Sequence, residues 1–290
     1  EAVFEDRGVK RGVIEGLNGV LGEGAVLASN TSTLPITSLA GDAARPERFI
    51  GLHFFSPVER MMLVEVILGE ETGPEALAAA LDFVRAIKKT PIVVNDTRGF
   101  YVNRCVNRYL TEAHLMVMEG VPPAMVETVA RMAGMPVGPL ALTDEVAVDL
   151  IYKILKAAKA DLGEAAVDPR QDRLITEMVE TYDRLGRKNG KGFYDYPAGG
   201  KKRLWPDLAE ITGEPKPAED FSVETLKARI LAVQALEAIR CVEEGVVTDV
   251  READVGSILG YGFAPFTGGT LSYVDGLGAA AFLDLCRDLE

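Results

Sequence analysis

Positive charge, histidine, cysteine and long apolar runs are all scarce in this 290-residue chain. Lys and Arg total 31 against 44 Asp and Glu, a net charge of −13. A field of that sign repels a phosphate backbone, and no basic stripe with aromatic platforms offsets it, which argues against nucleic acid as a partner. An anionic small ligand would need local help from individual Lys or Arg side chains. The three cysteines, Cys105, Cys241 and Cys286, lie far apart and outside any CxxC or Cys/His spacing. That argues against a disulfide framework and against a bound metal, and it suits a reducing, cytoplasmic setting. No signal peptide and no apolar run long enough to cross a bilayer is found, so stable membrane insertion is not expected.

What is present is an alternation of strand and helix. Glu1 to Phe4 resembles the tail of a strand, and 7–21 carries Val9, Val13, Ile14, Leu17 and Leu21 at helical spacing. AVLAS at 25–29, FIGLHFF at 49–55, LVEVI at 63–67 and PIVV at 91–94 read as strands, with a helix over 75–88. This predicts an α/β layer with a mostly parallel sheet. After TRGF at 97–100 the periodicity turns helical to about residue 185, and 198–220, rich in Pro, Gly and charge, reads as a connector. The expected divisions are an α/β part at 1–97, a helical domain at 98–197, a linker at 198–220 and a second helical domain at 221–290.

An internal repeat supports the last division. LTEAHLMVMEGV at 110–121 aligns without a gap with ALEAIRCVEEGV at 235–246, and AGMPVGP at 133–139 matches LGYGFAP at 259–265 after one inserted residue. Two matches in the same order indicate duplication of a helical unit.

The chemistry concentrates in GLHFFSPVERMMLVEV at 51–66, which holds one of the two histidines. Strand alternation puts Leu52 and Phe54 on one face and His53 and Phe55 on the other, with His53 near the C-terminal end, where ligands bind in open α/β sheets. Glu65 sits among Leu63, Val64 and Val66, so it is buried and needs a partner. An imidazole–carboxylate pair orients the ring and raises its basicity, as general acid–base work requires. The plainer alternative is a core histidine bonded to a carbonyl, with Glu65 an edge-strand charge. SNTSTLPI at 29–36 follows a strand directly, and TRGFYVNR at 97–104 places Asn103 on the first turns of a helix. Singly, such residues usually cap or turn the backbone. His114, set mid-helix among Leu115, Met116 and Met118, reads as packing or surface.

Together SNTSTL, GLHFFSPV…LVEV, DTRGFYVNR, PVGPLALTDEVAVD and KNGKGFYDY resemble the L-3-hydroxyacyl-CoA dehydrogenase family over nearly the whole chain. The resemblance implies a Rossmann-type dinucleotide-binding domain lacking its first strands, then two repeated all-α domains like the C-terminal domain of 6-phosphogluconate dehydrogenase, the second truncated. It implies NAD as cofactor, an acyl-CoA thioester as substrate, and oxidation of L-3-hydroxyacyl-CoA to 3-oxoacyl-CoA in fatty-acid β-oxidation. The family's catalytic pair falls on His53 and Glu65, and its substrate-contacting residues fall on Ser32 and Asn103. Its cofactor-side residues correspond to Glu5, Lys10, Asn30 and Ser32, although Lys10 alone would read as a solvated helix residue. Ser56 stands where many members carry Asn and Arg98 where most carry Pro, which bears on loop shape rather than on the pair.

No GxGxxG turn is present; GEG at 22–24 and GYG at 260–262 lack the third glycine and the preceding strand. The expectation is therefore a fragment of a longer protein, most like the dehydrogenase part of a multifunctional oxidation enzyme, weak in NAD binding by itself. A homodimer and a thiolase subunit are the protein partners this family suggests. The alternatives are a stand-alone 3-hydroxybutyryl-CoA dehydrogenase and a non-catalytic structural homologue.

Overall fold

A computed structural model describes residues 1–289. The chain begins α1 (Arg7–Leu17), β1 (Leu27–Ser29), α2 (Ile36–Ala40), β2 (Phe49–Phe54), β3 (Leu63–Leu68), α3 (Pro74–Ala86) and β4 (Thr90–Asn95). Helices α4 (Val102–Met118), α5 (Pro123–Met132), α6 (Pro139–Val146), α7 (Val148–Leu162) and α8 (Pro169–Glu180) follow. They lead to a small hairpin, β5 (Tyr194–Asp195) with β6 (Arg203–Leu204). Next come α9 (Ala209–Thr212), α10 (Val223–Glu243), α11 (Val250–Tyr261), α12 (Thr270–Leu277) and α13 (Ala279–Asp288).

The four-stranded sheet has the order β1-β2-β3-β4. Two of its three pairings, β1–β2 and β3–β4, run parallel as expected, but the sheet is mixed, because β2 and β3 run antiparallel. The reason lies in the connection between β2 and β3, residues 55–62, which is too short for the crossover of about a dozen residues or more that parallel neighbours require. On one face Ile50, Leu52, Val64 and Val66 pack with Ala80 and Val84 of α3, and Phe54 joins them. Ala76, Ala80 and Val84 recur every fourth residue on α3, which starts with Pro74 and Glu75 and carries Arg85 in its last turn, so sequence pattern and dipole agree on its limits. Each buried Val, Leu or Ile among these contributes roughly 1.5–3 kcal/mol by leaving water. The opposite face admits Gly51 alone at its pinch point: a Cβ there would lie 2.8 Å from Ile36 and Ile67.

Two compact units divide the chain, one of residues 1–106 with 235–281, the other of 107–234 with the C-terminal residues from 282. Residues 198–220, expected as a connector, carry β6, α9 and the buried Trp205, Leu208 and Ile211. The internal sequence match has a structural counterpart. In the first copy Glu127 accepts from the N–H groups of Leu140 and Ala141 at the start of α6, at 2.8 and 3.0 Å. In the second copy Asp254 accepts from those of Leu271 and Ser272 at the start of α12, at 2.8 and 3.2 Å. Each carboxylate satisfies orphan amides of the helix that follows it. The side chains of Glu127 and Asp254 fill the space that a Cβ at Gly138 and Gly269 would need.

His114, on α4, is fully buried and stacked on Phe193, with ring centroids 5.4 Å apart. Its Nε2 meets the Thr143 hydroxyl at 3.0 Å, and that hydroxyl itself donates to the Pro139 carbonyl. Nε2 therefore carries the proton, and Nδ1 accepts from the Gln171 amide at 3.2 Å. Burial drives its pKa from 6.5 down to about 3. A histidine depressed in the folded state stabilises fully above the unfolded value and loses that stability as pH falls, because the unfolded chain binds the proton first. Between about pH 6 and 4, the stability of His114→Gln should fall less steeply than that of the native protein, by about 1.4 kcal/mol per pH unit. Urea unfolding across that range measures it; equal slopes would contradict it.

Candidate active site

The antiparallel register sets His53 of β2 directly opposite Glu65 of β3. Residues in such a pair have Cβ atoms about 5 Å apart on one face of the sheet, so the two side chains must meet or clash. They meet: His53 Nδ1 lies 2.7 Å from Glu65 Oε2, with side-chain exposures of 5% and 0%. The other oxygen, Oε1, accepts from the backbone N–H groups of Tyr101 and Val102, at 3.0 and 2.8 Å, where α4 begins. A carboxylate offers acceptors alone, so the shared proton sits on Nδ1, and in the neutral imidazole this leaves Nε2 as the acceptor. Nε2 has no hydrogen-bond partner among the described residues. The rings of Phe55 and Phe100 flank the imidazole, with centroids at 4.4 and 5.8 Å.

The loop after β1 is tied to the same end of the sheet. Asn30 Oδ1 accepts from the N–H of Phe54 at 2.9 Å, which couples the ends of β1 and β2. Asn103 Nδ2 donates to the Ser32 carbonyl at 2.9 Å and keeps one further N–H. The Ser32 hydroxyl has no partner among the described residues, whereas its backbone N–H donates to Glu5. Glu5 Oε1 also accepts from the Thr31 hydroxyl at 2.7 Å and from the Thr33 N–H at 2.8 Å. Burial works to raise the Glu5 pKa, but these bonds from Thr31, Thr33 and Ser32 prevail and hold it below the usual carboxylate range. Lys10 is not a solvated helix residue: it is fully buried and paired with Glu1 at 3.1 Å and Glu5 at 3.4 Å.

His53, Glu65, Ser32 and Asn103 are thus linked through hydrogen bonds and one sheet register, with Asn30 and Glu5 bracing the loop that carries Ser32. Two contributors have no signature in the sequence, because they are backbone amides: the N–H groups of Tyr101 and Val102. The nearest signal was the TRGF turn, where Gly99 and Phe100 adopt φ of 79° and 51° and swing the start of α4 toward Glu65.

Two family models match, the 3-hydroxyacyl-CoA dehydrogenase NAD binding domain over residues 1–97 and its C-terminal domain over 99–196. The crystal structure of (S)-3-hydroxybutyryl-CoA dehydrogenase from Ralstonia eutropha is 36% identical, with a TM-score of 0.61, over 68% of this chain and 69% of its own. The chain belongs to the 3-hydroxyacyl-CoA dehydrogenase family. The fatty acid oxidation complex subunit alpha of Shewanella baltica is 43% identical over all of this chain, which spans 41% of that relative's length. The 3-hydroxybutyryl-CoA dehydrogenase of Escherichia coli shares the fold over the whole chain, with a TM-score of 0.81 at 24% identity. Among the described residues no cluster suited to a metal ion occurs, and no helix is long and apolar enough to cross a membrane.

The carboxylate's three donors fix what happens when one oxygen is replaced. In Glu65→Gln only the amide oxygen can accept from Tyr101 and Val102, so its NH2 faces Nδ1 and drives the ring proton to Nε2. Nitrogen-15 shifts of His53 should report the proton on Nδ1 in the native protein and on Nε2 in the variant. A native pattern in the variant would refute this arrangement.

Proposed function

We propose that the protein carrying this chain oxidises L-3-hydroxyacyl-CoA thioesters to 3-oxoacyl-CoA with NAD, and that His53 is the base. The single observation that carries the reading is the unpartnered Nε2 of His53 on a ring backed by a fully buried Glu65. Such a nitrogen can take the proton of the substrate's 3-hydroxyl, and Glu65, held by three donors, stabilises the imidazolium that results. The free hydroxyl of Ser32 and the remaining N–H of Asn103 hold the reacting oxygen and the thioester carbonyl.

The residues fit the nicotinamide end of the cofactor. Among the described residues the one ion-pair partner of Glu5 Oε2 is Lys10, at 3.4 Å, and the Glu5 side chain is 34% exposed, which suits the NH2 of a carboxamide. The Ser32 hydroxyl offers a second polar contact, while Asn30 shapes the loop and Lys10 holds Glu5 in place. NAD, when bound, supplies the hydride acceptor. The aromatic walls of Phe55 and Phe100 exclude water from the imidazole and keep its hydrogen bond strong.

The identity to alpha subunits of fatty acid oxidation complexes supports a setting in β-oxidation and a partner subunit for the consecutive, thiolase-type step. Co-purification of the intact protein with no second subunit would count against that partner. The reaction itself is tested by NADH oxidation with acetoacetyl-CoA. His53→Gln should lower kcat by about 100- to 10,000-fold, the usual worth of a positioned acid–base group, and leave KM nearly unchanged. Native rates in that variant would overturn the proposal.

A further inference from the structure

The second copy of the helical repeat contains no counterpart of His53, yet part of it, within residues 235–281, belongs to the same compact unit as the site. Its contacts with the start of α4 are specific. The Tyr101 hydroxyl donates to the Ala253 carbonyl of α11 at 2.9 Å and meets the Thr270 hydroxyl of α12 at 3.1 Å. Tyr101 is fully buried, and its ring lies so close to α11 that a Cβ at Gly256 would sit 3.0 Å from it. Val102 packs in the same way on Gly260. Arg104 reaches Glu237 of α10 at 2.7 Å and also pairs with Glu244. The side chains of residues 101, 102 and 104 are therefore anchored in the second copy. The amides of 101 and 102 hold Glu65, and Asn103 holds the Ser32 loop.

We infer that Tyr101 is a positioning residue, and that through its hydroxyl the second helical copy sets where the α4 amides stand and hence how Glu65 aims His53. This rests on the reading of His53 and Glu65 as the acid–base pair. The second copy works on the reaction without touching substrate, as a rigid support for one turn of backbone. A displacement of that turn by about 1 Å would be felt at the imidazole, where misplacement on that scale costs up to about a hundredfold in rate.

Tyr101→Phe and Thr270→Val each remove one end of the contact and leave the packing in place. In the intact protein each should lower kcat about tenfold, within that limit, with little change in KM. Because both act through one hydroxyl pair, the double variant should be no slower than the slower single variant. The downfield proton resonance of the His53 Nδ1–H···Glu65 bond should weaken or broaden in both. Unchanged kcat, or a slower enzyme with an unaltered resonance, overturns the inference. If His53→Gln keeps native rates, the acid–base reading fails, while the resonance still tests the positioning.

Discussion

One cross-strand pairing governs the site: His53 opposite Glu65 in an antiparallel register. Slipping it by one residue would turn every side chain of β3 to the other face and put Val64 or Val66 opposite the imidazole. Register is held firmly here because the other face is a packed core of Ile50, Leu52, Val64 and Val66. The energy that aligns the pair therefore comes from aliphatic burial, and the polar contact is made where that burial places it.

Having buried Glu65, the fold must satisfy it. An ionised carboxylate without partners in this environment would cost several kcal/mol, and the protein supplies an imidazole and two helix-terminal amides. The amides require the chain to turn sharply after β4, which Gly99 and Phe100 accomplish in left-handed conformations. A non-glycine residue held in that region costs of order 1–3 kcal/mol, and such strain persists where surrounding contacts over-determine it. At Phe100 those contacts are its own complete burial and the neighbouring His53 ring. Strand register, turn strain and helix dipole thus converge on a single side chain.

Much of this was legible in the sequence. Alternation placed Leu52 and Phe54 opposite His53, the apolar flanks of Glu65 announced its burial, and the motif resemblance named a family that the comparisons show. The antiparallel turn at 55–62 was not read, although its short length carries the signal, because strand and helix alternation argued for a mostly parallel sheet. Read by itself Lys10 would be a solvated helix lysine; two acidic partners, Glu1 and Glu5, reverse that alternative. The amides of Tyr101 and Val102 could not be read, since every residue but proline has one. Nor could the grouping of 235–281 with the first 106 residues, which rests on contacts between positions more than a hundred apart such as Tyr101 and Ala253.

If the pair works as a unit, its members should not contribute independently to catalysis. The most direct test is a double-mutant cycle on kcat/KM with His53→Gln, Glu65→Gln and both together. The account predicts that Glu65→Gln is costly in the native background and nearly without effect once His53 is gone. Losses that simply multiply would contradict it.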